Sequence, residues 1–228
     1  MQVIQPEVFI GKKDWGTALK EIEMIGRVCY KSEERCTGDS ADSFIRGLIK
    51  RGHTSILEHA SISIKFTADR GVSHELVRHR IASPSQESTR YVRYDSTGAT
   101  FISPFFFPEG SNQHYKWRQA CEDSSDAYRE LMQMGALAQE ARTVLNNSTK
   151  TELWITANMR EWRAITSLRA DKAAHPQMRQ IMIPALIVLK RVLPPLFDDI
   201  ALDRDFLTDN YARVTIGNIV PIEGAESI

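Results

Sequence analysis

Absences narrow the class of this 228-residue chain before any motif is read. Its three cysteines, Cys29, Cys36 and Cys121, are odd in number and form no CxxC pair. That pattern excludes a disulfide scaffold and a thiolate zinc knuckle, and it suits a reducing cytoplasm, the expected location. Net charge is also lacking, because Lys plus Arg total 29 and Asp plus Glu total 29. With no overall pull toward polyanions, any anion site must be a local cluster. No apolar run is long enough to span a bilayer, and the amino-terminal MQVIQPEVFIGKKDW has no basic stretch leading into an apolar one. Neither a membrane partner nor a signal peptide is expected. There is no GxGxxG and no Walker loop, so Rossmann and P-loop binding modes have no support. No repeat, low-complexity tract or Pro/Gly/Ser linker divides the sequence, and a single domain over residues 1–228 is expected.

What is present is ordinary globular material, 42% hydrophobic and 25% charged. Apolar residues at three- and four-residue spacing predict helices over Asp14–Tyr30 and Ser40–Arg51, with Gly52 as a stop. The period then changes to strict alternation over Ser61–Thr67, a strand with one buried face. A short helix is expected over Gly71–Arg78, a polar loop over Ser83–Ser88, and extended chain over Tyr91–Tyr94 and Thr100–Ser103. A long helix follows over Ser111–Gly135 and a second over Ala136–Leu145. Thr149–Asn158 suits helix or strand. Met159–Arg169 and Gln177–Val192 are helical, and Pro194-Pro195 ends the last of these. Segregated strands among many helices predict an α+β fold, one domain with an antiparallel or mixed sheet and a surrounding helical bundle.

The chemically informative stretch is Arg78-His79-Arg80-Ile81-Ala82-Ser83-Pro84-Ser85-Gln86-Glu87-Ser88-Thr89-Arg90. Arg presents a planar fork of donors that matches phosphate oxygens, and loop amides beside Ser88 can form an anion nest. Gln86, both donor and acceptor, suits the edge of a base or flavin. Spacing alone equally allows solvated cations that favour a helix C-terminus.

Arg-His-Arg, seven residues and then Ser resembles the signature of flavin-dependent thymidylate synthases. Gly52-His53-Thr54-Ser55-Ile56-Leu57-Glu58-His59 is similar to that family's upstream Gly-His…Glu-His segment. Ala141-Arg142, Asn158-Met159-Arg160-Glu161-Trp162-Arg163 and Leu168-Arg169-Ala170 follow in the family's order, so the likeness spans about residues 14–195. It implies that NADPH reduces FAD and that methylenetetrahydrofolate donates a one-carbon unit to C5 of dUMP. By position it assigns His53, Ser55, Arg78, His79, Arg80, Gln86, Asn158 and Arg160 to FAD. It assigns Glu75, Arg78, Gln86, Glu87, Ser88, Arg90, Arg142 and Arg169 to dUMP. Two residues are expected to serve catalysis. Arg169 faces the uracil and favours ionisation at N3, and Ser88 is a binding hydroxyl and backbone donor rather than a nucleophile. No cysteine lies in a matched block, so no cysteine attack on uracil is expected. Ala164 stands where many members place His or Asn against the flavin, and Asn146 where they commonly have Pro; His175 is a further flavin neighbour. The family forms homotetramers.

Other classes fit less well. A nucleic-acid module stacking bases on Tyr91, Tyr94 and Trp117 runs against zero net charge. A metal hydrolase drawing on His53, His59, His74 and His79 fails on spacing, because His74 and His79 do not share a helix face, and no metal is expected. A flavin reductase or oxidase without methyl transfer is the nearest rival.

Overall fold

Ser61–Asp69 alternates as expected and extends to form β3, and its inward Ile62, Ile64 and Phe66 are completely buried. Beside it runs Lys150–Asn158 (β6), antiparallel, with Ile64 opposite Ile155 and Phe66 opposite Leu153. This pairing resolves the segment that suited either period: Leu153, Ile155 and Ala157 point to the core, while Trp154 crosses to the other face and meets Phe9 edge-on at 5.8 Å. Glu7–Gly11 (β2) pairs antiparallel with β3 on its other side, and Arg213–Gly217 (β7) pairs parallel with β2. Ser83–Gln86 (β4) closes the opposite edge on β6, which gives a mixed sheet of order β4-β6-β3-β2-β7. Gln2–Ile4 (β1) and Thr100–Ile102 (β5) form a separate parallel pair. The computed structural model describes residues 1–219; residues 220–228, the end of the expected single domain, lie outside the described residues.

Helices cover one face of the sheet. Trp15–Val28 (α1), Ser40–Lys50 (α2), Arg70–Leu76 (α3), Asn112–Gln133 (α4) and Met159–Arg169 (α6) fall where apolar periodicity places them. Their starts have local chemical causes. Asp14, Asp69, Ser111 and Asn158 each accept a hydrogen bond from the amide three residues on. Pro176–Val192 (α7) is buried on nearly every side through Met178, Ile181, Met182, Ile183, Ala185, Leu186 and Leu189. Pro184 sits inside α7 and has no N–H for the Gln180 carbonyl; that carbonyl accepts from Ala212 N at 2.9 Å instead. A helical irregularity thereby anchors the chain that leads into β7.

Three expectations need correction, and a fourth holds with an addition. Ser83–Gln86 is a strand rather than a loop; its polar sequence is tolerated because an edge strand meets solvent and Pro84 need not donate there. Tyr91–Tyr94 is turn and irregular chain, since the amides of Tyr91 and Val92 fold back onto Ser88 O. The helix expected over Ala136–Leu145 shrinks to Ala138–Ala141 (α5) and a 3-10 turn over Arg142–Val144. Pro194-Pro195 ends α7 and also opens a short helix, Pro194–Phe197 (α8). Two apolar clusters result: the main one lies between sheet and helices, and a smaller one around Tyr128, Phe101 and Cys121 packs α4 against β5. No helix among the described residues is long and apolar enough to cross a membrane.

Candidate active site

The site is assembled on α3. After β3 the chain turns at Asp69, whose carboxylate caps α3, and burial pushes that carboxyl above its ordinary value. α3 then presents Ser73 and Glu75 two residues apart. Gln86, at the end of β4, donates to Ser73 Oγ at 2.8 Å and to Thr151 Oγ1 at 3.1 Å. Arg169, at the far end of α6, donates from Nη1 to Glu75 Oε2 at 2.5 Å and from Nη2 to the Glu75 carbonyl at 2.9 Å. Its Nε donates to His79 Nε2 at 3.1 Å, so an arginine ninety residues downstream is planted in the Arg-His-Arg stretch. Arg169 and Glu75 line a groove of about 730 Å³ together with Ala164, Leu168, Ala174 and His175. That volume is within the range of small-molecule sites.

His79 is held from both sides, with Glu161 Oε1 3.4 Å from Nδ1. Burial first, and the Arg169 cation second, hold its imidazole below the ordinary value against the pull of Glu161. Arg78 and Arg80 flank it and are exposed, as are Arg90 and Arg142. Among the described residues none of these four arginines makes an ion pair, whereas Arg160 pairs with Glu58 and Arg169 with Glu75. Arg142 Nη1 approaches Thr89 Oγ1 at 3.4 Å, which brings it to the loop that carries Ser88 and Arg90.

That loop is held rigidly from beneath. Both oxygens of Glu87 are taken: Oε1 accepts from Tyr94 OH at 2.7 Å, and Oε2 accepts from Lys150 Nζ at 2.8 Å and from Glu152 N at 3.2 Å. Tyr94 is buried against Tyr128, and burial first, with Glu87 second, pushes its phenol well above the ordinary value. A buried ring of this kind offers no stacking platform to a base. Ser88 Oγ accepts from Arg90 N at 3.3 Å, and no base contacts it among the described residues.

The remaining expected residues form a second cluster at the start of α6. Asn158 Oδ1 caps that helix, Arg160 reaches Glu58 at 2.5 Å, and His53 Nδ1 meets Tyr30 OH at 2.7 Å. Ser55 opens the 3-10 turn Ser55–His59 between them. Glu161 links this cluster to His79, since its N–H donates to Asn158 Oδ1 at 2.9 Å and its carboxylate lies 3.4 Å from His79 Nδ1. Three residues that sequence reasoning did not single out support the site: Ser73, Lys150 and Glu161. Only Glu161 left a trace, as a member of the Asn158–Arg163 block. Asn146, noted as a departure, accepts from Ser148 N at 2.9 Å and so makes its own turn in place of a proline.

The family described as "Thymidylate synthase complementing protein" matches residues 13–195. A flavin-dependent thymidylate synthase of Geobacter sulfurreducens is 33% identical over 185 residues, covering 78% of this chain and 80% of its own. One of the same name from Mycolicibacterium gilvum is 35% identical over 204 residues, covering 82% and 80%. Among solved structures, the UMP/dUMP methylase PolB of Streptomyces cacaoi bound with 5-Br dUMP has a TM-score of 0.68 at 24% identity, covering 87% of this chain and 96% of that one. The last likeness concerns the α+β fold alone.

Proposed function

The chain belongs to the flavin-dependent thymidylate synthase family, and on that premise we propose that it converts dUMP to dTMP without a cysteine nucleophile, using Arg169 to activate the pyrimidine. One observation carries the reading. A guanidinium has five N–H donors, and Arg169 spends three of them on His79 Nε2, Glu75 Oε2 and the Glu75 carbonyl. Two remain, on an arginine already fixed in the wall of a groove. They match the acceptor pair that an N3-ionised uracil presents, and a permanent cation stabilises that anion as it forms.

The residues fit the cofactor as well as the substrate. Arg78, Arg80, Arg90 and Arg142, exposed and without carboxylate partners among the described residues, suit the phosphates of FAD and dUMP, and Ala164 leaves the groove wall open to a flat ring. When bound, FAD reduced by NADPH supplies the hydride and mediates carbon transfer from methylenetetrahydrofolate. The protein's part is to bind, orient and polarise. Glu87 presents the Ser88–Arg90 loop to the nucleotide, since its own oxygens are engaged with Tyr94 and Lys150. His53, Ser55, Asn158 and Arg160 form the second flavin-facing cluster. A homotetramer whose sites draw on neighbouring copies completes the reading. Unpaired thiols at Cys29, Cys36 and Cys121 suit the cytoplasm.

The test is a visible spectrum of the purified protein followed by tritium release from C5-labelled dUMP. The expected protein is yellow, tetrameric by light scattering, and releases tritium only with methylenetetrahydrofolate. Flavin reduction with no tritium release would make it a reductase or oxidase.

Two further outcomes are expected here. Ser88→Ala lowers turnover about fivefold, the worth of about one hydrogen bond, because loop amides remain as donors. Complete loss, with a covalent adduct trapped on Ser88 of the parent, would restore a nucleophile. The second concerns pH. Neutral His79 accepts from Arg169, and its folded value lies below the ordinary 6.5. The accepting form is therefore present above 6.5 and is lost only as pH falls through the lower folded value. Turnover is expected to stay level through pH 6.5 and drop on a more acid limb. An acid limb above neutrality in the kcat profile would contradict this.

A further inference from the structure

The imidazole of His79 lies between two partners of opposite demand. On one side Arg169 Nε, which can only donate, stands 3.1 Å from Nε2. On the other, the Glu161 carboxylate, which can only accept, stands 3.4 Å from Nδ1. A neutral imidazole has one N–H and one lone pair, so only the form protonated on Nδ1 satisfies both neighbours. Glu161 and Arg169 belong to the same helix, and positions 161, 164 and 168 repeat along the face that Arg169 adjoins. The Glu161 backbone is itself fixed, because its N–H donates to Asn158 Oδ1 at 2.9 Å.

We infer that Glu161 is a positioning residue for Arg169: it holds the proton of His79 on Nδ1, keeps Nε2 open to Arg169 Nε, and so sets the rotation of the guanidinium that reads the substrate. The inference deepens the proposed function and rests on it, since the substrate read is the uracil of dUMP. The chain Glu161–His79–Arg169–Glu75 runs from carboxylate to carboxylate through one ring and one fork. Glu75 fixes the two Nη atoms, and His79 fixes Nε. With Nε released, the fork pivots about Glu75, and its two remaining N–H groups lose their aim. The ring form matters for the same reason elsewhere, because a histidine in the wrong tautomer keeps its place but loses its role.

The experiment compares Glu161→Ala and Glu161→Gln with the parent, using dUMP affinity, kcat and ¹⁵N NMR of histidine-labelled protein, with His79→Asn assigning the signal. Glu161→Ala is expected to lower kcat about tenfold, one hydrogen bond of aim, with dUMP affinity within about twofold. Glu161→Gln, whose amide oxygen still accepts from Nδ1–H, recovers most of that loss. The parent His79 gives the ¹⁵N pattern of an Nδ1–H ring, and Glu161→Ala loses it. A parent ring protonated on Nε2, an Ala variant with unchanged kcat, or a Gln variant no better than Ala overturns the inference. These outcomes separate from those of the functional reading. A parent that shows the Nδ1–H ring yet releases no tritium from dUMP removes the substrate and leaves the positioning chain.

Discussion

Arg169→Ala is expected to lower dUMP turnover about 10²–10³-fold while flavin and dUMP binding stay measurable. That is the loss found when one preorganised donor to a developing anion is removed. The site explains why no neighbour substitutes. Arg78 and Arg80 are exposed, and neither shares the contacts with Glu75 and His79 that fix Arg169 in the groove. Arg169→Lys keeps the charge but has one nitrogen for tasks now spread over three, so it is expected to fall between parent and alanine. Stability changes little, because the Glu75 carboxylate is about a third exposed and water can reach it once unpaired. The measurement is tritium release under saturating dUMP, with a melting curve as control. Unchanged turnover removes Arg169 from the mechanism, and a collapse in melting temperature reassigns it to the fold.

Trp162→Ala is expected to be the most damaging single change to stability, costing about 3–5 kcal/mol. Trp162 is completely buried beneath α6, packs on Phe66 with ring centroids 6.4 Å apart, and donates from Nε1 to the Ile62 carbonyl at 2.9 Å. Removing it opens a cavity between helix and sheet and leaves a strand carbonyl without its partner. For a chain of this size the shift in melting temperature is on the order of 10 °C. Trp162→Phe separates the two causes. It refills most of the volume but cannot donate, so about 1–3 kcal/mol of loss remains. Calorimetry decides, and a change under about 1 kcal/mol for the alanine variant would falsify the packing account. Activity should fail at a lower temperature in step with unfolding, because α6 carries both Glu161 and Arg169.

The longer helices were legible because each has an apolar stripe long enough to show its period, and most begin at a side chain that accepts an amide. Asp14, Asp69, Ser111 and Asn158 are working caps in the structure. β3 was legible because seven alternating residues leave no other reading. β2 and β7 were not: each has only five residues, too few to establish alternation, and a parallel partner lies some two hundred positions away. β4 was misread because Ser-Pro-Ser-Gln has no apolar side to reveal. Its strand form comes from β6 supplying the hydrogen bonds.

The candidate site divides along the same line. Which residue types handle anions, and that they cluster around Arg78–Arg90, is written in the chain, as is family membership. Which of them meet is not. That Arg169 binds His79 and Glu75 and that Glu161 faces the far side of the same ring depend on α6 packing back over the sheet, and that Glu87 is consumed by Tyr94 and Lys150 depends on β4 pairing with β6. Local sequence sets the period, the cap and the chemistry of each side chain, because these act over a few residues. Contacts across ninety positions belong to packing, because only the closed core fixes where two distant segments end up.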